Sequence, residues 1–95
     1  MKIGIIGFGN FGNFMARHLS KKVEIIVTDK KDKKVEANNI GVMFGSLDEV
    51  VKQKIIIIAV EMENLQETLL DIKDKIIPGT LVLDVCSLKM FSSKA

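Results

Sequence analysis

The sequence predicts an α/β domain in which helices cover both faces of a doubly wound parallel sheet. The segment 55–60 is apolar at every position, which is typical of a strand buried on both faces of a parallel sheet. Strand-like segments also alternate with helical patterns, an order that favours parallel strands joined by helical crossovers. Because 47% of its 95 residues are hydrophobic, the chain is expected to form one densely packed domain, 1–95.

Five segments have the apolar, β-branched composition of strands. They are Lys2–Ile6, Val23–Thr28, Gly41–Phe44, Lys54–Val60 and Thr80–Val85, and Gly41–Phe44 carries the weakest signal. Right-handed connections between consecutive strands then predict the sheet order 3-2-1-4-5.

Apolar residues at helical spacing predict helices between these strands. The predicted segments are Asn10–Ser20, Ser46–Gln53 and Glu61–Ile77, the last of which is stopped by Pro78-Gly79. The first helix has a stripe of mostly small side chains that includes Gly12 and Ala16. The last has one apolar face, formed by Met62, Leu65, Leu69, Ile72 and Ile76.

Composition excludes several classes of protein. A net charge of +2 gives no basic footprint for nucleic acid, and no apolar run approaches the roughly 18 residues of a membrane span. The single cysteine, Cys86, rules out an internal disulfide framework and fits a reducing compartment. We therefore expect a soluble, cytoplasmic protein with no nucleic-acid partner, no membrane partner and no metal site.

Three glycines between the first strand and the first helix predict a dinucleotide site. The segment Gly7-Phe8-Gly9-Asn10-Phe11-Gly12 has the spacing G-x-G-x-x-G. In that pattern the first glycine permits the tight turn, the second admits the diphosphate, and the third lets the helix pack on the strand. The free amides around Asn10 and Phe11 would then meet the phosphate charge at the positive end of the helix dipole.

An acidic residue at the end of the second strand supports this Rossmann-type interpretation. Asp29 follows Gly7 by 22 residues and can accept hydrogen bonds from the adenosine ribose, which favours NAD. Lys30 and the lysines that follow it could instead receive the 2′-phosphate of NADP, although such charge runs usually form a solvated surface. The predicted cofactor is NAD, with NADP as the alternative. Val60 and Glu61, at the end of the fourth strand, are expected to form another wall of the cofactor cleft.

Two segments together resemble the arogenate/prephenate dehydrogenase family of tyrosine biosynthesis. They are IGIIGFGNFGNFMARHL at the start and LVLDVCSLKMF near the end, which contains a D-x-x-S-x-K pattern at Asp84, Ser87 and Lys89. The resemblance covers essentially all 95 residues. It implies oxidative decarboxylation, in which hydride passes from the ring of prephenate or arogenate to NAD(P)⁺ and carbon dioxide leaves.

The same resemblance implies a role for Ser87 close to the nicotinamide and the substrate ring. From the residues alone, Ser87 lies just past the fifth strand, where ligands bind, although serine there also suits a helix N-cap. The family's catalytic histidine and its helical substrate and dimerisation domain come further downstream, beyond Ala95. We therefore expect an N-terminal domain that binds dinucleotide weakly and is inactive alone. His18 and Cys86 are given no catalytic role.

Two other functions remain open on the sequence. One is a regulatory nucleotide-binding module of the kind that gates potassium transporters, which shares the glycine pattern and the acid but not DVCSLK. The other is a domain of another NAD(P)-dependent enzyme, such as a β-hydroxyacid dehydrogenase or an imine reductase. Exposed apolar residues are expected outside the sheet core and would favour self-association. They are Phe8, Phe14, Met90 and Phe91.

Overall fold

The computed structural model describes residues 1–85 and contains a five-stranded parallel sheet in the order β3-β2-β1-β4-β5. Its elements in chain order are β1 (Lys2–Ile6), α1 (Asn10–Leu19), β2 (Glu24–Thr28), α2 (Lys34–Asn39), β3 (Met43–Phe44), α3 (Leu47–Val50), β4 (Ile55–Ile58), α4 (Met62–Ile72) and β5 (Leu81–Asp84). The predicted fold class, parallel pairing and strand order are confirmed, and the weakest predicted strand is present as the two-residue β3.

Helices cover both faces of the sheet, as the apolar run 55–60 predicts. On one face the fully buried Ile5 of β1 belongs to a cluster that includes Ala16 of α1. On the other face Ile56 of β4 packs in a second cluster with Val50 of α3 and Ile72 of α4. Burial of each large aliphatic side chain contributes about 1.5–3 kcal/mol, so the buried residues of β1, β2 and β4 are a major source of stability.

The first helix, α1, packs closely on the sheet through its smallest residues. Gly12 and Ala16 are its buried positions, and the predicted small-residue stripe therefore faces the sheet. Phe14 lies on the other side of the helix with 47% of its surface exposed, as expected. Within residues 1–85, no helix is long and apolar enough to cross a bilayer.

The last helix, α4, buries only part of the apolar face that its sequence pattern predicts. Thr68 and Ile72 are buried, whereas Met62 and Leu69 are 47% and 43% exposed. The Thr68 hydroxyl donates to the carbonyl of Asn64 at 2.8 Å, so its burial leaves no unpaired hydroxyl. Met62 and Leu69 are therefore the exposed members of the predicted apolar face, whose other members lie in or against the second core cluster.

Two predicted helices are shorter in the structure than in the sequence pattern. The α4 helix ends at Ile72 instead of Ile77, although helical bonding continues for one turn, since the amide of Ile76 donates to the carbonyl of Ile72 at 3.1 Å. The α3 helix covers Leu47–Val50 within the predicted Ser46–Gln53. Hydrophobic spacing locates the helices but does not fix their last turns.

Candidate functional site

A cleft of about 730 Å³ opens at the carboxyl ends of β1, β2 and β4. Strand β1 pairs with β2 on one side and with β4 on the other. The chain therefore adds β2 and β3 on one side of β1, and then β4 and β5 on the other side. Open α/β sheets bind their ligands at such a switch point. Four segments contribute to the walls: a glycine loop (residues 7–9), a lysine loop (residues 29–33), residues 44–47 where β3 leads into α3, and the end of β4 together with one face of α4.

The first and third glycines of the motif are required by the protein itself. Gly7 has φ +101°, and a side chain there would meet the Ala59 carbonyl oxygen at 2.7 Å. A side chain on Gly12 would overlap the carbonyl oxygen of Gly7. The helix therefore touches the turn directly, and both glycines hold the loop against the sheet.

The second glycine, in contrast, faces open space. A Cβ added at Gly9 would have no neighbouring atom within 4 Å, and the φ of Gly9, −79°, is open to any residue. Gly9 is also the N-cap of α1, where no side chain caps the helix and no acid stands in the first turn. The first amides of a helix have no intrahelical acceptor, so this end offers hydrogen-bond donors and a positive dipole beside the space at Gly9.

The three other residues of the motif have different surroundings. Phe8 is only 2% exposed and packs in the core cluster beneath α1, so its expected exposure is wrong. The tight turn at Gly7 directs this ring inward, which its hydrophobicity alone does not reveal. Asn10 is exposed, and Phe11 packs partly against the same cluster. Asn10 and Phe11 contribute hydrogen-bond donors through their backbone amides at the start of α1.

Asp29 lies at the end of β2, where the sequence predicts it, and lines the cleft. Its Oδ2 accepts a hydrogen bond from the amide of Phe8 at 2.7 Å, and its Oδ1 accepts one from the amide of Lys31 at 3.0 Å. A carboxylate has about four lone-pair sites, so both oxygens keep acceptor capacity for a ribose hydroxyl. The acid and the glycine loop are therefore in direct contact.

The lysines after Asp29 differ in their partners. Lys30 reaches across to α4 and pairs with Glu67, and this hydrogen bond raises the pKa of Lys30. Lys33 lies 4.0 Å from Glu36. Lys31 lines the cleft and is part of none of the ion pairs found within residues 1–85. Of the three, Lys31 has the ammonium group most available to a ligand.

The predicted wall after β4 is in place. Val60 and Glu61 both line the cleft, and Val60 also packs against the second core cluster. Glu61 is the N-cap of α4, and its carbonyl accepts a hydrogen bond from the amide of Asn64 at 2.8 Å. The residues therefore serve helix initiation and also border the cleft.

Several predicted residues lie outside the described part of the chain. Ser87, Cys86, Met90 and Phe91 all follow residue 85, the last one described. His18 is described and exposed, and its ring lies edge-on to Phe14 with 4.4 Å between ring centroids. It stands in the last turn of α1, at the opposite end of the helix from the glycine loop.

Sequence reasoning missed the far side of the cleft. Its lining there includes Ser46 before α3, together with Asn64, Thr68 and Asp71 of α4. One signal was available for Thr68, because a polar residue at this position interrupts the apolar stripe between Leu65 and Ile72. The other residues are polar positions on surface segments, and only the three-dimensional fold brings them together.

Residues 2–87 match the protein family described as "NADP oxidoreductase coenzyme F420-dependent". The chain belongs to this family. The chain is 38% identical over 80 residues to pyrroline-5-carboxylate reductase of Aquifex aeolicus (strain VF5). The alignment covers 78% of the chain and 30% of the reductase. The chain is also 31% identical over 96 residues to the chloroplastic arogenate dehydrogenase 1 of Arabidopsis thaliana, covering 96% of the chain and 15% of that protein.

A similar fold occurs in the crystal structure of Synechocystis arogenate dehydrogenase. The TM-score is 0.79 at 24% identity, and the similarity covers 88% of the present chain and 32% of the Synechocystis chain. The family domain therefore spans less than a third of the length of each of these proteins. Together the comparisons confirm the nicotinamide-dinucleotide-binding fold of an oxidoreductase family. The resemblance to arogenate dehydrogenase is confirmed at the family level only, because the chain is also similar to a pyrroline-5-carboxylate reductase.

Proposed function

We propose that this chain is the NAD-binding part of a dehydrogenase that oxidatively decarboxylates prephenate or arogenate. The observation that carries the dinucleotide site is the open space at Gly9, directly beside the uncapped start of α1. The substrate class is supported by the arogenate dehydrogenases among the relatives and structural neighbours. The D-x-x-S-x-K pattern at Asp84, Ser87 and Lys89 supports the same class.

The residues present fit a dinucleotide. A side chain at Gly9 would fill the space beside the first amides of α1, where the diphosphate would be held. Asp29 is the acceptor for the adenosine ribose, and Lys30 and Lys31 border the same end of the cleft. Because Asp29 is a carboxylate and Lys30 is paired with Glu67, NAD is the proposed cofactor and NADP is the alternative.

The cofactor supplies the hydride acceptor when it is bound, and the residues of the chain hold the cofactor in place. The amides of the helix start hold the diphosphate, while Val60 and Glu61 border the cleft on the β4 side. Ser87 is proposed to act on the nicotinamide and substrate side, because it follows the carboxyl end of β5 by three residues. Hydride transfer also requires a substrate held against the nicotinamide, so the 95-residue chain alone is expected to bind cofactor without turnover.

Calorimetric titration of the purified chain with NAD⁺, NADP⁺ and nicotinamide riboside tests the cofactor site. We expect saturable binding of NAD⁺, weaker binding of NADP⁺, and no heat from the riboside, which lacks the diphosphate and the adenosine. Binding of the riboside as tight as that of NAD⁺ would show that the diphosphate is not what the cleft recognises. Steady NADH formation from prephenate or arogenate would overturn the proposed inactivity of the isolated chain.

A second candidate function is reduction of a cyclic imine. The observation that favours it is the 38% identity to pyrroline-5-carboxylate reductase, which exceeds the 31% identity to arogenate dehydrogenase 1. The two reactions run in opposite redox directions, so one assay separates them. The polypeptide encoded by the complete reading frame is incubated with NAD⁺ and prephenate or arogenate, and separately with NADH and pyrroline-5-carboxylate. NADH production in the first mixture, without NADH consumption in the second, supports the dehydrogenase.

Self-association is proposed as a property of this chain in isolation. Phe14 is 47% exposed on α1, and Leu81 of the edge strand β5 is 52% exposed. Contiguous exposed apolar patches promote association, and Leu83, on the same face of β5 as Leu81, is also exposed, at 42%. Light scattering over a dilution series should show an apparent mass that rises with concentration, and a constant monomer mass would contradict the proposal.

A further inference from the structure

The end of β2 holds two consecutive amides of the glycine loop. The amide of Gly7 donates to the carbonyl of Thr28 at 2.8 Å, which continues the pairing between β1 and β2. The next amide, that of Phe8, donates to Oδ2 of Asp29 at 2.7 Å. The Gly7 amide is thus hydrogen-bonded to a main-chain carbonyl, and the Phe8 amide is hydrogen-bonded to a charged side chain.

The carboxylate of Asp29 is a strong and well-placed acceptor for this amide. Hydrogen bonds to ionised acceptors are about twice as strong as neutral ones. The ring of Phe8 is buried in the core and only 2% exposed, so the amide cannot easily turn to another partner. Without an acceptor at this place, a mostly buried donor would stay unpaired, which is unfavourable.

The anchored peptide directly precedes the position that admits the ligand. Phe8 is fixed on one side by its ring and on the other by Asp29, whereas Gly9 is exposed with open space around it. The second Asp29 oxygen is held by the amide of Lys31, so the carboxylate itself has a defined orientation. The side chain therefore links the lysine loop rigidly to the glycine loop.

We propose that Asp29 is a positioning residue for the diphosphate, in addition to its expected contact with the ribose. It acts through the amide of Phe8, by holding the glycine loop in the shape that leaves Gly9 open beside the start of α1. This inference rests on the proposed dinucleotide function. Its consequence is that Asp29 supports the binding of a diphosphate ligand even when that ligand has no ribose hydroxyl to contact.

The test compares ADP with 2′,3′-dideoxy-ADP on the wild-type chain and on Asp29→Ala. We expect the substitution to weaken binding of the dideoxy ligand by about tenfold, or about 1.4 kcal/mol, and binding of ADP by more, because ADP also loses the ribose contact. If Asp29 acts only on the ribose, the variant and the wild type will bind the dideoxy ligand equally, and the inference is overturned. Asp32→Ala is the matched control, since Asp32 lies in the same exposed loop and also accepts a backbone amide, that of Lys34, at 3.0 Å.

The Asp32→Ala control also separates a positioning effect of Asp29 from the electrostatic effect of removing a carboxylate. Removal of any nearby carboxylate should by itself favour an anionic ligand, so Asp32→Ala is expected to leave binding unchanged or slightly stronger. A loss of affinity in Asp29→Ala alone therefore has the opposite sign from the charge effect. An equal loss in both variants would contradict the assignment.

A measurement without ligand keeps the inference independent of the binding assay. Amide hydrogen exchange at Phe8 should accelerate at least tenfold in Asp29→Ala and stay at the wild-type rate in Asp32→Ala. Asp29→Asn retains one carbonyl oxygen and should restore protection in part. Unchanged exchange at Phe8 in Asp29→Ala overturns the positioning role only. Absence of ADP binding to the wild-type chain overturns the proposed function together with this inference.

Discussion

The glycine loop after β1 and the lysine loop after β2 meet in one cleft, yet packing fixes the first whereas solvent surrounds most of the second. In the glycine loop, Gly7 and Phe8 are buried, and a side chain on Gly7 would meet backbone atoms of Ala59. In the lysine loop, Lys30 and Lys31 are exposed. On the proposed dinucleotide function, shape would select the diphosphate, which is common to all dinucleotides, and charge would select the adenosine end.

Gly12→Ala is expected to have the largest effect, because it tests whether packing really fixes the glycine loop. The added methyl group would overlap the carbonyl oxygen of Gly7, which is backbone and cannot move away easily. We expect the free energy of unfolding to fall by about 3 kcal/mol or more, measured by urea denaturation. In the matched control, Gly9→Ala, the methyl group enters open space, and the change should stay within about 1 kcal/mol. Equal stability of the two variants would contradict the packing argument.

The same Gly9→Ala variant sharpens the comparison on the side of ligand binding. Its methyl group would occupy the space proposed for the diphosphate, so NAD⁺ should bind at least tenfold more weakly, a loss of about 1.4 kcal/mol. Calorimetry on the folded variant measures this loss. Wild-type affinity in Gly9→Ala would mean that the diphosphate does not approach the loop at this point.

Lys31→Met addresses the lysine loop and should have a smaller, selective effect. Lys31 borders the cleft and has no ion-pair partner within the described residues 1–85, so its ammonium group is available to a 2′-phosphate. We expect NADP⁺ affinity to fall by about threefold to tenfold while NAD⁺ affinity stays nearly unchanged. Lys34→Met, at the exposed start of α2, is the control and should change neither affinity. A wild-type preference for NADP⁺ would mean that the lysines outweigh Asp29.

Asp48→Asn should have the smallest effect, since it removes an exposed ion pair that belongs to neither loop. The hydrogen bond from Lys75 lowers the pKa of Asp48, and the same bond raises the pKa of Lys75. A lowered carboxyl pKa stabilises the fold above the unfolded pKa, and this contribution disappears as the pH falls through the folded pKa, below about pH 4. The lysine's contribution is present below its unfolded pKa and disappears as the pH rises above about 10.4.

Urea denaturation of Asp48→Asn and the wild type at several pH values measures this difference. The two proteins should differ slightly at neutral pH and converge in acid, and added salt should reduce the difference. Asp74→Asn is the control, because Asp74 is exposed and forms none of the ion pairs found in residues 1–85. A difference that persists unchanged below pH 3 would rule out the ion pair as its cause.

Local chemistry explains what could be predicted from the sequence. The strand order follows from alternating strands and helices, and the positions of Gly7, Gly12 and Asp29 follow from spacing alone. The burial of Phe8 could not be predicted this way, because the positive φ of the preceding residue, +101° at Gly7, decides which way the Phe8 ring points. The burial of Thr68 on α4 could not be predicted from apolar spacing, because its hydroxyl pairs with the carbonyl of Asn64 in its own helix and is then tolerated in the core.

The pairing of β1 with β4 also has a consequence during protein synthesis. Strand β1 leaves the ribosome well before β4, yet Ile3 needs Ile55 as its neighbour on one side. At about 5–20 residues per second, roughly 50 further residues take some 3–10 s to translate. During this interval the nascent chain can pair β1 only with β2, and the strand's other edge stays open to chaperones or to neighbouring nascent chains.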